Sequence, residues 1–308
     1  MDREKQGTVN SFDGTPIWFR QIGNQGPYMV LCDGVGCEGY VWKYVIRDFA
    51  SDYRLLHFNY RGHGKTPMPR DKGNIGIEVN VRDLAAILNH LKVREPIILV
   101  GHSMGVQVVL EFYKQFPKKV QALIALTGPY GQALATLYNS PVPNLVFPTV
   151  KKLFETYPQV TRTIWRNLIN TEIGIQYAMR FELNRHLLKR EDFSPYLRDL
   201  SRMDPFAFLS SLEAAAKHDA ASYLPHIKVP TLIIAGEKDR FTPYWVGEKM
   251  AEKIPGAEFL ALPTASHTGP LELPDLVNLR MEKFLNQLKK PKTAVRRKKA
   301  SNKSAEKN

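Results

Sequence analysis

The sequence predicts an α/β chain, a mainly parallel sheet with helices on both faces and one long helical insertion. Three observations predict it. Short apolar runs bounded by turn residues alternate with segments of helical period, the pattern of strands joined by crossover helices. The run Pro96-Ile97-Ile98-Leu99-Val100 passes directly into Gly101-His102-Ser103-Met104-Gly105, and then into Val106, Val109, Leu110 and Phe112, spaced as on one helix face. Finally, the alternation stops between residues 130 and about 224 and resumes at Pro230.

In chain order, residues 8–11 and 16–20 read as two strands around the Asp13-Gly14 turn. Residues 28–32 form the next strand, 41–49 an amphipathic helix and 54–58 a further strand. Val79, Leu84, Ile87, Leu88 and Leu91 mark a helix before the strand at 96–100, and residues 120–126 are again strand-like. Beyond them, Leu145, Phe147, Leu153, Phe154, Tyr157, Ile164, Trp165, Leu168 and Ile169 recur at helical intervals broken by Pro141, Pro143, Pro148 and Pro158. Helices placed there would act as a lid over Ser103. Residues 231–235 and 259–262 are strands and 273–288 the last helix. The expected organisation is a core of residues 1–129 and 225–288, a helical cap of 130–224 and a disordered basic tail of 289–308.

Composition narrows the class. The chain has 308 residues, 44% of them hydrophobic, enough for one large core or two smaller ones. No apolar run reaches the roughly 18 residues of a transmembrane helix. The charged N-terminus lacks the apolar stretch of a secretory signal, so a cytoplasmic location is expected. Cys32 and Cys37 make neither a disulfide framework nor a zinc ligand set. Residues 289–308 hold nine Lys or Arg against one Glu, eight of the chain's thirteen net positive charges. A solvated end is the simpler account of such a block, with weak contact to an anionic membrane as the alternative. No specific nucleic-acid partner is expected, because only the tail is strongly basic. Gly64-Lys65-Thr66 is no phosphate loop, since Walker A needs glycine at position 59 and Asn59 stands there.

The chemistry begins at Ser103. Alone, G-x-S-x-G arises by chance and would leave a structural serine. Between a buried strand and an amphipathic helix it is a nucleophile elbow, whose flanking glycines let neighbouring backbone approach a strained turn. A serine hydroxyl needs a base, and the base needs an orienting group. Asp239 follows the strand at 231–235, and His267 follows the strand at 259–262. Glu237 is the rival acid, two residues earlier. His63 lies in the Arg61-Gly62-His63-Gly64 loop, and His102 sits within the elbow and cannot turn to serve its neighbour. The order Ser103, Asp239, His267 is that of α/β-hydrolases and not of chymotrypsin or subtilisin types.

With these residues in place the chain resembles the α/β-hydrolase fold superfamily, in its lipase/esterase-like branch, over roughly residues 8–288. Arg61-Gly62-His63-Gly64-Lys65-Thr66 is similar to the family's R-G-x-G-x-S loop. The resemblance implies an eight-stranded sheet, Ser103 as nucleophile, His267 as base and Asp239 as its orienting acid. The family's alternative acid position is empty, for no carboxylate follows the strand at 120–126. An oxyanion hole is expected from the N–H of Met104, the residue after the nucleophile, and by resemblance from that of Val35. One departure stands beside it. Members often carry His-Gly after the third strand, where this chain has Asp33-Gly34. The Asp33 side chain is expected to turn away and bond loop backbone.

The implied function is hydrolysis of a carboxylic ester with a hydrophobic acyl group through an acyl-enzyme, with no metal or organic cofactor needed. Tyr40, Trp42, Tyr130, Phe147, Trp165 and Tyr244 are candidates for an acyl pocket, although plain core packing accounts for most of them. Dehalogenases and epoxide hydrolases of this fold use an aspartate nucleophile, against which Ser103 argues. Lactonase, amidase, thioesterase, carbon–carbon hydrolase and cofactor-free haloperoxidase chemistries keep the same triad. A non-catalytic ligand-binding protein on this fold would typically lack one of the three residues.

Overall fold

The computed structural model describes residues 4–169, 171 and 183–289. The basic tail expected at 289–308 lies outside the described residues except for Lys289, as do residues 170 and 172–182 of the expected cap.

Eight strands form one sheet: β1 (Lys5–Asn10), β2 (Pro16–Ile22), β3 (Tyr28–Cys32), β4 (Arg54–Phe58), β5 (Ile97–His102), β6 (Val120–Leu126), β7 (Thr231–Gly236) and β8 (Glu258–Leu262). Their order is β1-β2-β4-β3-β5-β6-β7-β8. β1 and β2 form a hairpin and β2 meets β4 antiparallel, while β3 to β8 pair in parallel. The hairpin closes on Asp13-Gly14, where Gly14 has φ +80° and the Asp13 carboxylate accepts from Thr15 N at 3.1 Å. β1 begins earlier than the expected 8–11 because its register is set by backbone pairing with β2 from Lys5 opposite Gln21 onward. Its side chains are largely exposed and leave no apolar pattern to read.

β3, β5 and β7 are buried along their whole length, as strands covered on both faces must be. Alternate residues feed two separate cores. Val30, Leu56, Leu99 and Leu123 pack on one face with helices α2 (Ile77–His90) and α3 (Met104–Gln115). Leu31, Leu55, Val100 and Ile124 pack on the other with α1 (Lys43–Phe49), which follows a short 3-10 turn, and with the chain's last described helix, Pro274–Lys289.

Between β6 and β7 the described chain is helical: α4 (Ala133–Thr136), α5 (Val142–Thr156), α6 (Pro158–Ile169), α7 (Arg190–Arg202) and α8 (Pro205–Lys217). An isolated antiparallel bridge joins Gly131 to Asp219, so this segment leaves and re-enters the sheet at one neck. After β7 come α9 (Tyr244–Lys253), then β8, the single turn α10 (Gly269–Glu272) and α11 (Pro274–Lys289). Among the described residues no helix is long and apolar enough to cross a membrane.

Strand order reverses between β3 and β5, since β3 neighbours β4 on one side and β5 on the other. In an open α/β sheet the crevice at the carboxyl ends of such strands is where ligands bind. The loop after β3 and the turn after β5 both open there.

Candidate active site

Ser103 occupies the turn from β5 to α3 with φ 54° and ψ −123°, a strained region for any residue with a side chain. Backbone crowding explains its flanking glycines. A Cβ on Gly101 would lie 2.4 Å from Gly105 O, and one on Gly105 only 2.0 Å from Cys32 O. The turn is therefore pressed against the end of β3. Gly34 belongs to the same arrangement, because a Cβ there would lie 2.9 Å from Ser103 Cβ.

His267 Nε2 stands 2.9 Å from Ser103 Oγ, and His267 Nδ1 stands 2.8 Å from Asp239 Oδ2. Asp239 Oδ1 accepts from Phe241 N and Thr242 N, both at 2.8 Å, which fixes the buried carboxylate below the ring. Glu237, the rival acid, is exposed. The structure thus brings Ser103, His267 and Asp239 into one chain of hydrogen bonds from the ends of β5, β8 and β7. An imidazole in this setting can take the hydroxyl proton with its Nε2 lone pair while Nδ1–H stays on the carboxylate.

The loop holding His267 is anchored by residues that sequence reasoning missed. Glu272, buried at the end of α10, accepts from Ser266 N at 2.6 Å and from Thr268 Oγ1 at 2.9 Å, and also from Ser266 Oγ. Its Oε1 further accepts from Asn184 N at 3.2 Å, and Asn184 Nδ2 donates to Thr264 O at 2.8 Å. The His267 carbonyl accepts from Thr127 Oγ1 at 2.9 Å and His102 Nε2 at 3.1 Å. No spacing rule in the sequence points to Glu272 or Thr127, for both act on backbone brought close only by folding.

The two other candidate histidines are structural. His102 turns away from Ser103 to the His267 carbonyl, and burial together with the neighbouring His267 ring pushes its pKa down to about 3. His63 is buried, donates from Nδ1 to Arg61 O at 3.0 Å and accepts at Nε2 from Gly36 N at 3.1 Å, so it braces the loop after β3. The loop after β4 that carries His63 is seated by Arg61, whose buried guanidinium bonds both oxygens of Asp83 at 2.8 Å and also reaches Asp13.

Asp33 is buried, and its carboxylate is bonded by Trp42 Nε1 at 2.5 Å and His57 Nε2 at 2.7 Å. The expectation of backbone partners is corrected. β4 and the turn before α1 place two side-chain donors over the carboxylate, which holds it away from the serine.

Val35 and Met104, the expected oxyanion donors, both border a cavity of about 310 Å³ that Ser103 and His267 share. Met104 opens α3, where the first N–H groups have no acceptor within their own helix. Leu134, Leu137, Leu183, Phe193, Leu197 and Leu200 supply much of the remaining wall, and among the described residues no Lys, Arg, Asp or Glu lines it. Of the six aromatic candidates only Tyr40 borders the cavity. Trp42 is in the core beside Asp33, Trp165 packs on Phe208 at 5.0 Å, and Tyr244 is exposed. Cys37 also borders the space, but burial, with the charge of Asp33, pushes its thiol well above the usual range and leaves it a weak competitor as nucleophile. Among the described residues no group of three or more His, Cys, Asp or Glu is arranged to hold a metal ion.

A family model described as alpha/beta hydrolase fold matches residues 27–274. Epoxide hydrolase 4 of Homo sapiens is 24% identical over 280 residues, 89% of this chain and 76% of its own length. The 2-hydroxy-6-oxononadienedioate/2-hydroxy-6-oxononatrienedioate hydrolase of Paraburkholderia phymatum is 26% identical over 290 residues, 88% of this chain and 91% of its own. Among solved structures, a thermophilic esterase from Thermogutta terrifontis superposes with a TM-score of 0.72 at 21% identity, covering 92% of this chain and 99% of that one. At that identity the likeness is one of fold.

Proposed function

The chain belongs to the alpha/beta hydrolase fold family, and we propose that within it the protein is a serine hydrolase that cleaves carboxylic esters with a hydrophobic acyl group. One observation carries the reading: Ser103 and His267 border a largely apolar cavity of about 310 Å³ and are hydrogen-bonded in series with Asp239. That volume lies near the lower end of ligand pockets, about 300–1,000 Å³.

Ser103 Oγ attacks the ester carbonyl carbon and gives its proton to His267 Nε2. The C=O electron pair moves to oxygen, which the N–H groups of Met104 and Val35 receive, each worth roughly 3 kcal/mol where measured. The C–O bond then breaks, the proton on His267 passes to the leaving alkoxide, and an acyl-serine remains. Water repeats the sequence, with His267 as base and then acid, and releases the carboxylic acid. The described helices between β6 and β7 are the cap that would exclude bulk water from these steps.

The lining argues against the chemistries of the two relatives. An aspartate nucleophile requires a carboxylate where Ser103 stands. A dicarboxylate substrate calls for a cation to receive its far charge, and among the described residues no Lys or Arg lines the cavity. The reading is tested with a fluorophosphonate probe and p-nitrophenyl esters of increasing chain length. Covalent labelling at Ser103 is expected, with kcat/KM rising with acyl length until the cavity is filled. Ser103→Ala removes one oxygen from a turn without opening a cavity, so it should lower kcat by more than about a hundredfold at unchanged Tm. Retained turnover in that variant would overturn the assignment.

A further inference from the structure

The outer face of α5 and α6 is apolar and uncovered. Val142, Leu145 and Leu153 on α5 and Val160, Ile164 and Leu168 on α6 are all more than half exposed, Leu145 reaching 71%. Val160, Ile164 and Leu168 fall at every fourth position and so form a single stripe. The inner faces of the same helices are apolar too. Phe154 meets Trp165 edge-on at 6.2 Å, and Trp165 donates its indole N–H to Leu200 O at 2.8 Å. A helix facing water on its outer side is ordinarily polar there. These two are apolar on both sides, and the described residues cover one.

Charge indicates what meets the other. The two helices carry Lys151, Lys152, Arg162 and Arg166 against a single acid, Glu155. Lys151 is paired with Glu155 and Glu213 and Arg162 with Asp204, which leaves Lys152 and Arg166 as exposed cations with no ion pair among the described residues. A second copy laid on this face would bring the like charges of Lys152 and Arg166 together. An anionic bilayer complements it, taking apolar side chains below the headgroups and cations at the level of the phosphates. The face is also continuous with the site. Leu137 lines the cavity, and the adjoining Tyr138 is 43% exposed. The Tyr138 ring packs tilted against Phe241 at 5.8 Å, and Phe241 against His267 at 5.1 Å.

We propose that the α5–α6 face docks the protein on an anionic lipid surface, with the mouth of the cavity beside the bilayer. Supply of a lipid-dissolved ester to Ser103 rests on the function proposed above, whereas docking does not. Three forms are compared by co-sedimentation: the full chain, its Leu145→Glu/Ile164→Glu variant, and the chain truncated after Leu288. The vesicles are phosphatidylcholine alone, or phosphatidylcholine and phosphatidylglycerol in equal parts. Both substituted side chains are exposed, so the variant keeps the circular dichroism and Tm of the parent. The parent is expected to sediment with the anionic vesicles, and the variant to lose at least about tenfold in partition, since one apolar side chain withdrawn from an apolar environment accounts for that much. The truncated chain should bind more tightly than the variant. Equal partition of parent and variant, complete loss of binding on truncation alone, or no binding by the parent would each overturn the proposal. So would a dimer in sedimentation velocity that the variant dissociates. If no ester is hydrolysed in solution, sedimentation still reads docking alone.

Discussion

At the scale of single residues, the site separates three histidines by what each ring nitrogen touches. His267 meets Ser103 and Asp239, His102 meets a backbone carbonyl, and His63 spans two backbone groups. Hydrolysis should therefore fall in acid as His267 gains a proton and loses the lone pair that accepts from Ser103. With its pKa pushed down to about 3, His102 stays neutral meanwhile. The acid limb of log kcat/KM against pH is expected to have a slope of about one; a slope near two would mean that a second imidazole takes part. His267→Ala should abolish turnover and His63→Ala leave it measurable, and the opposite result would assign the base to His63. Glu272 touches no reacting atom, yet it holds the residues on either side of His267. Glu272→Ala should lower kcat by about tenfold or more through misplacement of the ring, with KM for a short soluble ester little changed and partial recovery in Glu272→Gln. A rise in KM at constant kcat would contradict that positioning role.

At the scale of elements, the elbow joins the chemistry to the sheet. Gly105→Ala would place a Cβ 2.0 Å from Cys32 O, against backbone that cannot swing aside as a side chain would. A loss of at least about 2 kcal/mol in unfolding free energy is expected, measured by urea denaturation. A Gly105→Ala protein as stable as its parent would show that the turn is looser than its geometry. The elbow was legible in the sequence because strand, turn and helix each leave a local mark. β5 and β7 were legible for a similar reason, since strands buried on both faces read as unbroken apolar runs. Asp239 and His267 could be singled out as candidates because Asp239 follows the buried run of β7 and His267 the short apolar run at 259–262, although β8 is only partly buried. The early start of β1 could not, for Lys5 and Gln6 enter the ladder through backbone groups alone. Nor could the partners of Asp33, since Trp42 and His57 reach it from different elements and neither spacing marks a contact across the sheet.

For the molecule as a whole, charge couples the sheet to the helical segment. Glu111 on α3 is held by His218, just beyond α8, and by Gln115 and Lys114. Burial alone would raise its pKa, but these partners hold it down at about 2. Its folded value thus lies below the ordinary 4.5, so the stability it contributes is complete above about pH 4.5 and is lost as the pH falls toward 2. That contribution is at most about 3 kcal/mol. Glu111→Gln should lower stability near neutrality, and the gap between variant and parent should narrow over that window in urea titrations. A gap constant with pH would place the effect in packing instead of charge. The Gly131–Asp219 bridge bears on this segment in another way. Two points of chain that already touch can be joined by a short tract or a long one, and lengthening a closed loop costs only logarithmically more entropy. Helices can thus be gained, lost or exchanged beyond the neck while β6 and β7 keep their register. The range of molecules admitted to the serine can then change without any alteration of the machinery that acts on them.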